Sequence, residues 1–507
     1  MLAKISAATL VGLESAQVEV EVDLADGLPS FVIVGLPDTA VQEARERVRA
    51  AIRNAGFVFP QKRVTVNLAP ADVAKEGTGL DVAIAIGILV ASGQLAAEGL
   101  EESLFLGELA LEGALRHTNG MLPLVSNALR WGIRAAFVPE SNGAEAAIIS
   151  GLAVYPATHL RQLVLHLNGM ESLARAKPPD AVDNDAVVYD VDLADVKGQE
   201  HAKRALEVAC SGGHNVLFSG PPGTGKSLLA QAVSSILPPL SLEEAIEVSK
   251  IYSVCGLLQT DEPLVLKWPF RSPHHTVSHA GLVSGGRFPR PGEISQAHRG
   301  VLFLDEIPEF PTNLLDMLRQ PLESGAVTIS RASGSLTFPA QFLLIGAMNP
   351  CPCGWYGDPV RTCTCNPAIV TRYQRKLSGP LLDRIDIHVE VPRVEYDKLT
   401  EDRRGEPSAN VRKRVMRARR VQQERFADLP FKTNAEIGPR HVREYCVLQP
   451  EAQDLMRTAM DRMHLTARSF HRVLKLARTI ADMDEADSIA VQHLAEALQY
   501  RPKLNTS

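Results

Sequence analysis

The chain lacks an excess of either charge: 53 lysine and arginine residues stand against 59 aspartate and glutamate, a formal net charge of -6. A global basic coat for nucleic acid is therefore absent, and binding of that kind has to come from local patches. Long hydrophobic runs are lacking too. The longest, around Leu80 to Ala91, contains Asp81 and is too short to cross a bilayer. Near the start, Lys4 precedes an apolar stretch that Ser6, Thr9 and Gly12 interrupt, with no clear small-residue cleavage site behind it. The expectation is a cytoplasmic protein that does not engage membranes. Cysteine is scarce, seven in 507 residues, and four of the seven fall within fifteen positions. That layout suits a metal site in a reducing compartment better than a disulfide framework. Repeats and low-complexity tracts are missing. With 45% hydrophobic and 22% charged residues, collagen-like, disordered and coiled-coil chains are excluded. The length corresponds to about three folding units.

The first region alternates strands and helices. Val18, Val20 and Val22 alternate with Glu19, Glu21 and Asp23, the pattern of a half-buried strand. Asp38 is placed to cap a helix whose apolar positions Val41, Ala44, Val48, Ile52 and Ala55 share a face and which ends at Gly56. A second strand, Val64 to Leu68, leads to an apolar helix beginning near Leu80. From Glu171 to Asp190 the periodicity lapses into Lys177, Pro178, Pro179 and scattered aspartates, which reads as a linker. Beyond Val391 and Pro392 the pattern is helical to the end.

Between these lies the clearest chemistry. The apolar strand Asn215 to Ser219 runs into Gly220, Pro221, Pro222, Gly223, Thr224, Gly225, Lys226 and Ser227, and then a helix. Glycines let successive backbone N–H groups face phosphates, and the helix N-terminus adds positive potential. Lys226 would reach the outer phosphates of ATP and Ser227 would bind Mg2+. A buried strand, Val301 to Leu304, ends in Asp305 and Glu306. Asp305 would hold the Mg2+ through water, and Glu306 would polarise the attacking water. A third strand, Phe342 to Met348, ends at Asn349, whose amide is placed to orient that water.

Loop, Asp-Glu strand and Asn strand in this order resemble the core of an AAA+ ATPase. Val196-Lys197-Gly198-Gln199-Glu200, Ser272-Pro273-His274-His275-Thr276, Pro291-Gly292-Glu293-Ile294-Ser295, Ala297-His298-Arg299-Gly300 and Leu381-Leu382-Asp383-Arg384-Ile385-Asp386 resemble the magnesium-chelatase-related AAA+ family, in its ComM/YifB branch. The resemblance spans nearly the whole chain. It implies Arg384 as an arginine finger reaching a neighbouring subunit's nucleotide, and Arg468, in Thr466-Ala467-Arg468, as the sensor of a helical lid; Arg472, one turn later, is an alternative for that role. Arg384 has its own alternative, pairing with Asp383 or Asp386. A finger acting in trans makes hydrolysis depend on assembly, and the family implies a homo-hexamer.

The implied fold class is α/β, in four parts: a non-catalytic N-terminal domain of S5/Lon-protease-like, chelatase-subunit type at 1–172; a linker at 173–190; a phosphate-loop parallel-sheet core at 191–393; and a helical lid at 394–507. Within the first domain, Gly77-Thr78-Gly79-Leu80-Asp81, Gly107-Glu108-Leu109 and Gly113 resemble the Lon-type domain. Where that family carries its serine this chain has Gly79 or Leu80; where it carries its lysine the text reads Asn119-Gly120-Met121-Leu122. A serine–lysine dyad needs both groups, so no protease activity is expected.

Three segments are candidates for contact with single-stranded, double-stranded or branched DNA. One is the long insertion carrying His274, His275, His279, Arg287, Arg290, His298 and Arg299. Another is a hairpin from Val327 to Arg331 and Ser335 to Phe338. The third is a basic run of Arg412, Lys413, Arg414, Arg417, Arg419, Arg420 and Arg425. Contacts between subunits, or a solvated face, are the alternatives. Immediately after Asn349, Cys351, Cys353, Cys363 and Cys365 form two Cys-x-Cys pairs joined by nine residues, a set able to enclose a structural Zn2+ tetrahedrally. Cys210, Cys255 and Cys446 read as ordinary buried residues. The function implied by the resemblance is a helicase promoting branch migration in recombination during natural transformation, with recombination proteins as further partners. A chelatase-type subunit and a protein-remodelling ATPase are the alternatives.

Overall fold

The computed structural model describes residues 2–75, 77–178, 189–285, 289–331, 334–394 and 405–501. By its internal contacts the chain forms two compact units: Met1–Asp183 with Ser241–Leu266, and Asn184–Leu240 with Lys267–Ser507.

The first unit is built on strands β1 (Leu2–Val11), β2 (Glu14–Ala25), β3 (Ser30–Val34), β4 (Arg63–Ala69), β5 (Ser103–Phe105), β6 (Ala135–Pro139) and β7 (Ala153–Ala157). They form one mixed sheet in the order β3-β4-β2-β1-β5-β6-β7. The β1–β2 and β2–β4 pairs are antiparallel and the others parallel. The alternation read in β2 is realised: Val18, Val20 and Val22 are buried while Glu19 and Glu21 stay half-exposed. Against the sheet lies the helix Thr39–Asn54, whose N-cap Asp38 accepts from the Val41 N–H at 2.7 Å and which buries Val41, Ala44, Val48, Ala51 and Ile52. The helix Asp81–Ala91 is buried all round, as its near-uniform apolarity requires. Each fully buried aliphatic side chain here stabilises by about 1.5–3 kcal/mol.

Two features depart from the ranges read in the sequence. Part of the expected linker is packed, since Leu173 is buried and the Ala176 N–H donates to Val154 O at 2.8 Å; residues 179–188 lie outside the described residues. The helix Leu242–Cys255, which in sequence falls inside the nucleotide region, belongs to the first unit. Ser253 explains this: its carbonyl accepts from the Gly120 N–H at 3.0 Å, and its hydroxyl donates to buried Glu145.

The second unit contains β8 (Val216–Ser219), β9 (Phe270–Arg271), β10 (Val301–Leu304), β11 (Ala326–Arg331), β12 (Gly334–Pro339), β13 (Leu343–Met348) and β14 (Ile387–Glu390). Five of them make an all-parallel sheet, β9-β10-β13-β8-β14, and β11 and β12 form a separate antiparallel hairpin. Short strands of Val, Leu, Phe and Ile, bounded by loops and covered by helices, are what a buried parallel sheet demands. Helices Ser408–Arg425, Pro439–Tyr445, Pro450–Arg462, Ala467–Met483 and Val491–Gln499 follow. Val216, Phe218 and Val389 of the sheet share one core with Val415, Val473 and Ile480 of these helices.

Candidate active site and metal site

In the second unit β8 has neighbours on both sides, so the loop at its carboxyl end opens at the centre of a parallel sheet, where such folds bind ligands. A Cβ on Gly220 would lie 2.2 Å from the Val391 carbonyl oxygen, and Gly223 and Gly225 take φ of +78° and +86°. Only glycine fits the first and prefers the others. Gly225 then caps the helix Lys226–Ile236. Lys226, only 8% exposed, donates through Nζ to Gly220 O at 2.7 Å, Pro221 O at 2.8 Å and Asn349 Oδ1 at 3.2 Å. Burial lowers its pKa, and Asp305 and Glu306 oppose that.

Ser227 Oγ donates to Asp305 Oδ2 at 2.8 Å. A hydroxyl and a carboxylate brought together beside a phosphate loop are the hard oxygen donors that Mg2+ prefers. Glu306 is exposed at φ +48° and its N–H donates to Asp305 Oδ1 at 2.9 Å. A non-glycine residue held in this region is typical of sites where position matters more than local comfort. The phosphate loop, Lys226, Ser227, Asp305 and Asn349 thus converge on one place, Glu306 follows Asp305 there, and ATP with its Mg2+ is the ligand they suit. Magnesium would screen the phosphate charge there.

The two arginines meet elsewhere. Arg384 Nη2 and Arg468 Nη2 donate to the same oxygen, Glu323 Oε1, the second at 2.8 Å. Neither aspartate is the partner of Arg384: Asp386 bonds His214 at 3.0 Å, and Asp383 takes Arg472 at 2.9 Å. Arg472 is buried and also donates to Ile385 O at 3.1 Å, so it fastens the helix Ala467–Met483 to this loop. Glu323 was not legible in the sequence, because nothing marks a solitary glutamate about sixty residues before Arg384.

The four cysteines converge. Their Sγ atoms all lie within 4.8 Å of one another, with Cys351–Cys363 at 3.7 Å, Cys353–Cys363 at 3.6 Å and Cys351–Cys353 at 3.3 Å. Sulfur ligands about 2.3 Å from a tetrahedral zinc stand about 3.8 Å apart, far beyond a disulfide bond of about 2.0 Å. Backbone N–H groups of Trp355 and Thr364 favour the Cys353 thiolate, whereas burial and the neighbouring sulfurs push the Cys363 and Cys365 thiols up; zinc binds the thiolate form. The donor set fits Zn2+, and Cys351, Cys353, Cys363 and Cys365 would hold it as a structural ion. Cys210 and Cys446 are buried as expected; Cys255 is half-exposed.

The three DNA candidates fare differently. The hairpin forms with Thr328 facing Thr337 at 3.1 Å and Ser330 facing Ser335 at 3.0 Å, an exposed ladder of hydroxyls; Ala332 and Ser333 of its turn lie outside the described residues. In the insertion, His274, His279 and Arg290 are exposed, whereas His298 is buried and accepts through Nδ1 from the Gln341 N–H at 3.1 Å. Arg287 lies outside the described residues. The basic run is largely consumed inside its own unit. Arg414 bonds Glu207 and Glu406, Arg425 bonds Asp482, Arg412 donates to Ser235 O at 2.9 Å and Arg419 to Cys210 O at 2.8 Å. Buried Glu207 and Asp482 and carbonyls near helix ends thus claim four of these guanidiniums, while Arg417 and Arg420 stay largely exposed.

In the first unit, a Cβ on Gly79 would lie 3.4 Å from Thr118 Cγ2, beside the Asn119–Leu122 segment. The two places expected to lack chemistry are therefore adjacent. Leu80 and Leu122 are buried, the Thr78 hydroxyl donates to Glu108, and Lys75 donates to Pro70 O. Asp81 is locked to Arg47 through bonds of 2.8 and 3.0 Å.

A parallel sheet ordered in this way, with Lys226, Ser227, Asp305 and Asn349 converging on its phosphate loop and Glu306 beside them, defines a magnesium-chelatase-type AAA ATPase. Comparison with known proteins agrees. Residues 192–399 match the family described as magnesium chelatase, subunit ChlI; residues 20–142 match subunit ChlI of Mg-chelatase; residues 405–501 match its C-terminal part. The chain is 46% identical to "Competence protein ComM" of Haemophilus influenzae over 97% of its length and 96% of that protein's. It is 45% identical to "Uncharacterized protein YifB" of Escherichia coli over 97% and 95%. A more distant relative, the magnesium-chelatase subunit ChlI of Euglena gracilis, is 27% identical over 31% of this chain and 51% of its own. The chain belongs to the YifB/ComM family of magnesium-chelatase-related proteins. Among the described residues no helix is long and apolar enough to cross a membrane.

Proposed function

We propose that this ATPase is a DNA motor: a homo-hexameric ring, built around a structural zinc ion in each subunit, that uses ATP hydrolysis to drive branch migration during recombination of incoming DNA. The observation that carries this reading is the conjunction of a fully furnished nucleotide site with near full-length likeness to a competence protein. Lys226 binds the phosphates, Ser227 and Asp305 would hold Mg2+, Glu306 activates water and Asn349, whose Oδ1 accepts from Lys226, orients that water. Arg384 supplies positive charge to the nucleotide of a neighbouring subunit, which makes turnover depend on the ring, and Arg468 acts as the sensor of the helical lid. The hydroxyl ladder of the β11–β12 hairpin, with His274, His279 and Arg290, suits sequence-independent phosphate contacts.

The experiment is displacement of a labelled strand from three-strand and four-way junctions, with Lys226→Ala as control. Displacement by the wild type in the presence of ATP, and not by the variant, is expected. No displacement, with ATP turnover indifferent to DNA, would favour the chelatase-type reading, which the matches to ChlI support.

A further inference from the structure

The cysteine loop lies against the phosphate loop at several points. Gly354, at φ +85°, brings its backbone so close to Pro222 that a Cβ there would lie 2.6 Å from the proline Cδ. Two residues before Cys351, Asn349 accepts from Lys226 Nζ at 3.2 Å, and just before that Met348 O accepts from the Gly220 N–H at 3.2 Å. The other flank of the phosphate loop is held from the end of β14, where Val391 O packs on Gly220. Two residues later Arg393 turns into the cysteine loop: its guanidinium lies 4.6 Å from the centre of the Trp355 ring and its Nε is 2.9 Å from Asp358 Oδ2. Arg361 lies at the same distance from that ring. Asp358 in turn accepts from the Val360 and Arg361 N–H groups at 2.9 and 2.7 Å.

We propose that the cysteine loop is a wall of the nucleotide site, so that metal occupancy of Cys351, Cys353, Cys363 and Cys365 sets the affinity for nucleotide, with Gly354 and Trp355 as positioning residues. This rests on the four thiols holding zinc. The segment Pro352–Thr364 contains no helix or strand, so little but the four-sulfur anchor and the Asp358 turn gives it shape. Without that anchor Gly354 no longer backs Pro222, and Trp355 no longer holds Arg393 beside the strand end on which Gly220 packs. The phosphate loop then samples more conformations, and ordering it on binding lowers the affinity.

The test is titration of the full-length protein with a fluorescent ADP analogue, alongside zinc content by mass spectrometry and fold by circular dichroism. Metal-stripped protein is expected to bind about tenfold more weakly than the zinc-loaded form, with recovery on adding back zinc alone. Trp355→Ala, which removes no sulfur ligand, is expected to retain zinc and still bind several-fold more weakly. Unchanged affinity in folded, metal-free protein would overturn the proposal, as would full affinity in zinc-loaded Trp355→Ala. A protein that takes up no zinc would overturn it at its first step, while Lys226→Ala separately reports whether the phosphate loop is the nucleotide site.

Discussion

The two α/β units place polar groups in opposite ways. In the first, the polar groups near Gly79 and the Asn119–Leu122 segment satisfy one another: Arg47 clasps Asp81, and Glu145 accepts from Asn142 at 3.0 Å and from the Leu122 N–H at 2.8 Å. In the second, Lys226 reaches only loop carbonyls and Asn349, Glu306 stands exposed, and Arg384 and Arg468 share a single carboxylate oxygen. Saturated polar networks rigidify a fold. The groups beside the phosphate loop are available to a ligand, and the arginine pair, which meets elsewhere, to a second one. The difference teaches that a unit's scaffold says little about where its chemistry is; the local balance of donors and acceptors says more.

The largest effects should fall on the second unit. Arg384→Ala is expected to lower ATP turnover by about 10³-fold, with recovery in mixed assemblies where an intact finger faces an intact site. Turnover near wild type would leave Arg384 as no more than the partner of Glu323. Glu306→Gln should bind ATP normally and hydrolyse it about 10²-fold more slowly or worse; brisk hydrolysis would remove Glu306 from its role.

Changes in the first unit should act on stability instead. Arg47→Ala strands a carboxylate that is 1% exposed, and breaking such a pair costs about 3–5 kcal/mol, seen as a lower urea midpoint with ATP turnover per folded molecule unchanged. For the pair itself the direction is set by Asp81: burial pushes its carboxyl up to about 6 from 3.8, although Arg47 pulls it down. A carboxyl raised in the folded state holds its proton more tightly there than when unfolded. Its contribution is therefore present below about pH 4 and lost as the pH rises through 6. Relative to Asp81→Asn, the wild type should lose about 2–3 kcal/mol across that window; parallel pH profiles would contradict this.

The smallest effect sharpens the comparison within the second unit. Arg420 pairs with Glu424 at 3.7 Å, both largely exposed, so Arg420→Ala should change stability by less than about 0.5 kcal/mol. A marked loss of DNA affinity in that variant would return the basic helix to the DNA face.

Much of this was legible in the sequence. The β2 alternation, the Asp38 cap and the strand-loop-helix around Lys226 are local patterns that the chain obeys because each is satisfied by neighbours in sequence. The four cysteines, two close pairs in sequence, also converge. What stayed hidden depends on long-range contact. Glu323 joins two arginines about sixty and 145 residues away. Arg393 finds Trp355 from 38 residues further along the chain, and Ser253 leaves the nucleotide region to bond Glu145. The acidic partners of the basic run, Glu207 and Asp482, are likewise distant from it in sequence.

The central claim is that the second unit's nucleotide site drives work on DNA. Steady-state ATP hydrolysis by the wild type, with and without a four-way DNA junction and with Glu306→Gln alongside, tests it most directly. Several-fold stimulation by the junction, absent in the variant, is the predicted result; wild-type hydrolysis that proceeds at the same rate with and without DNA would contradict it.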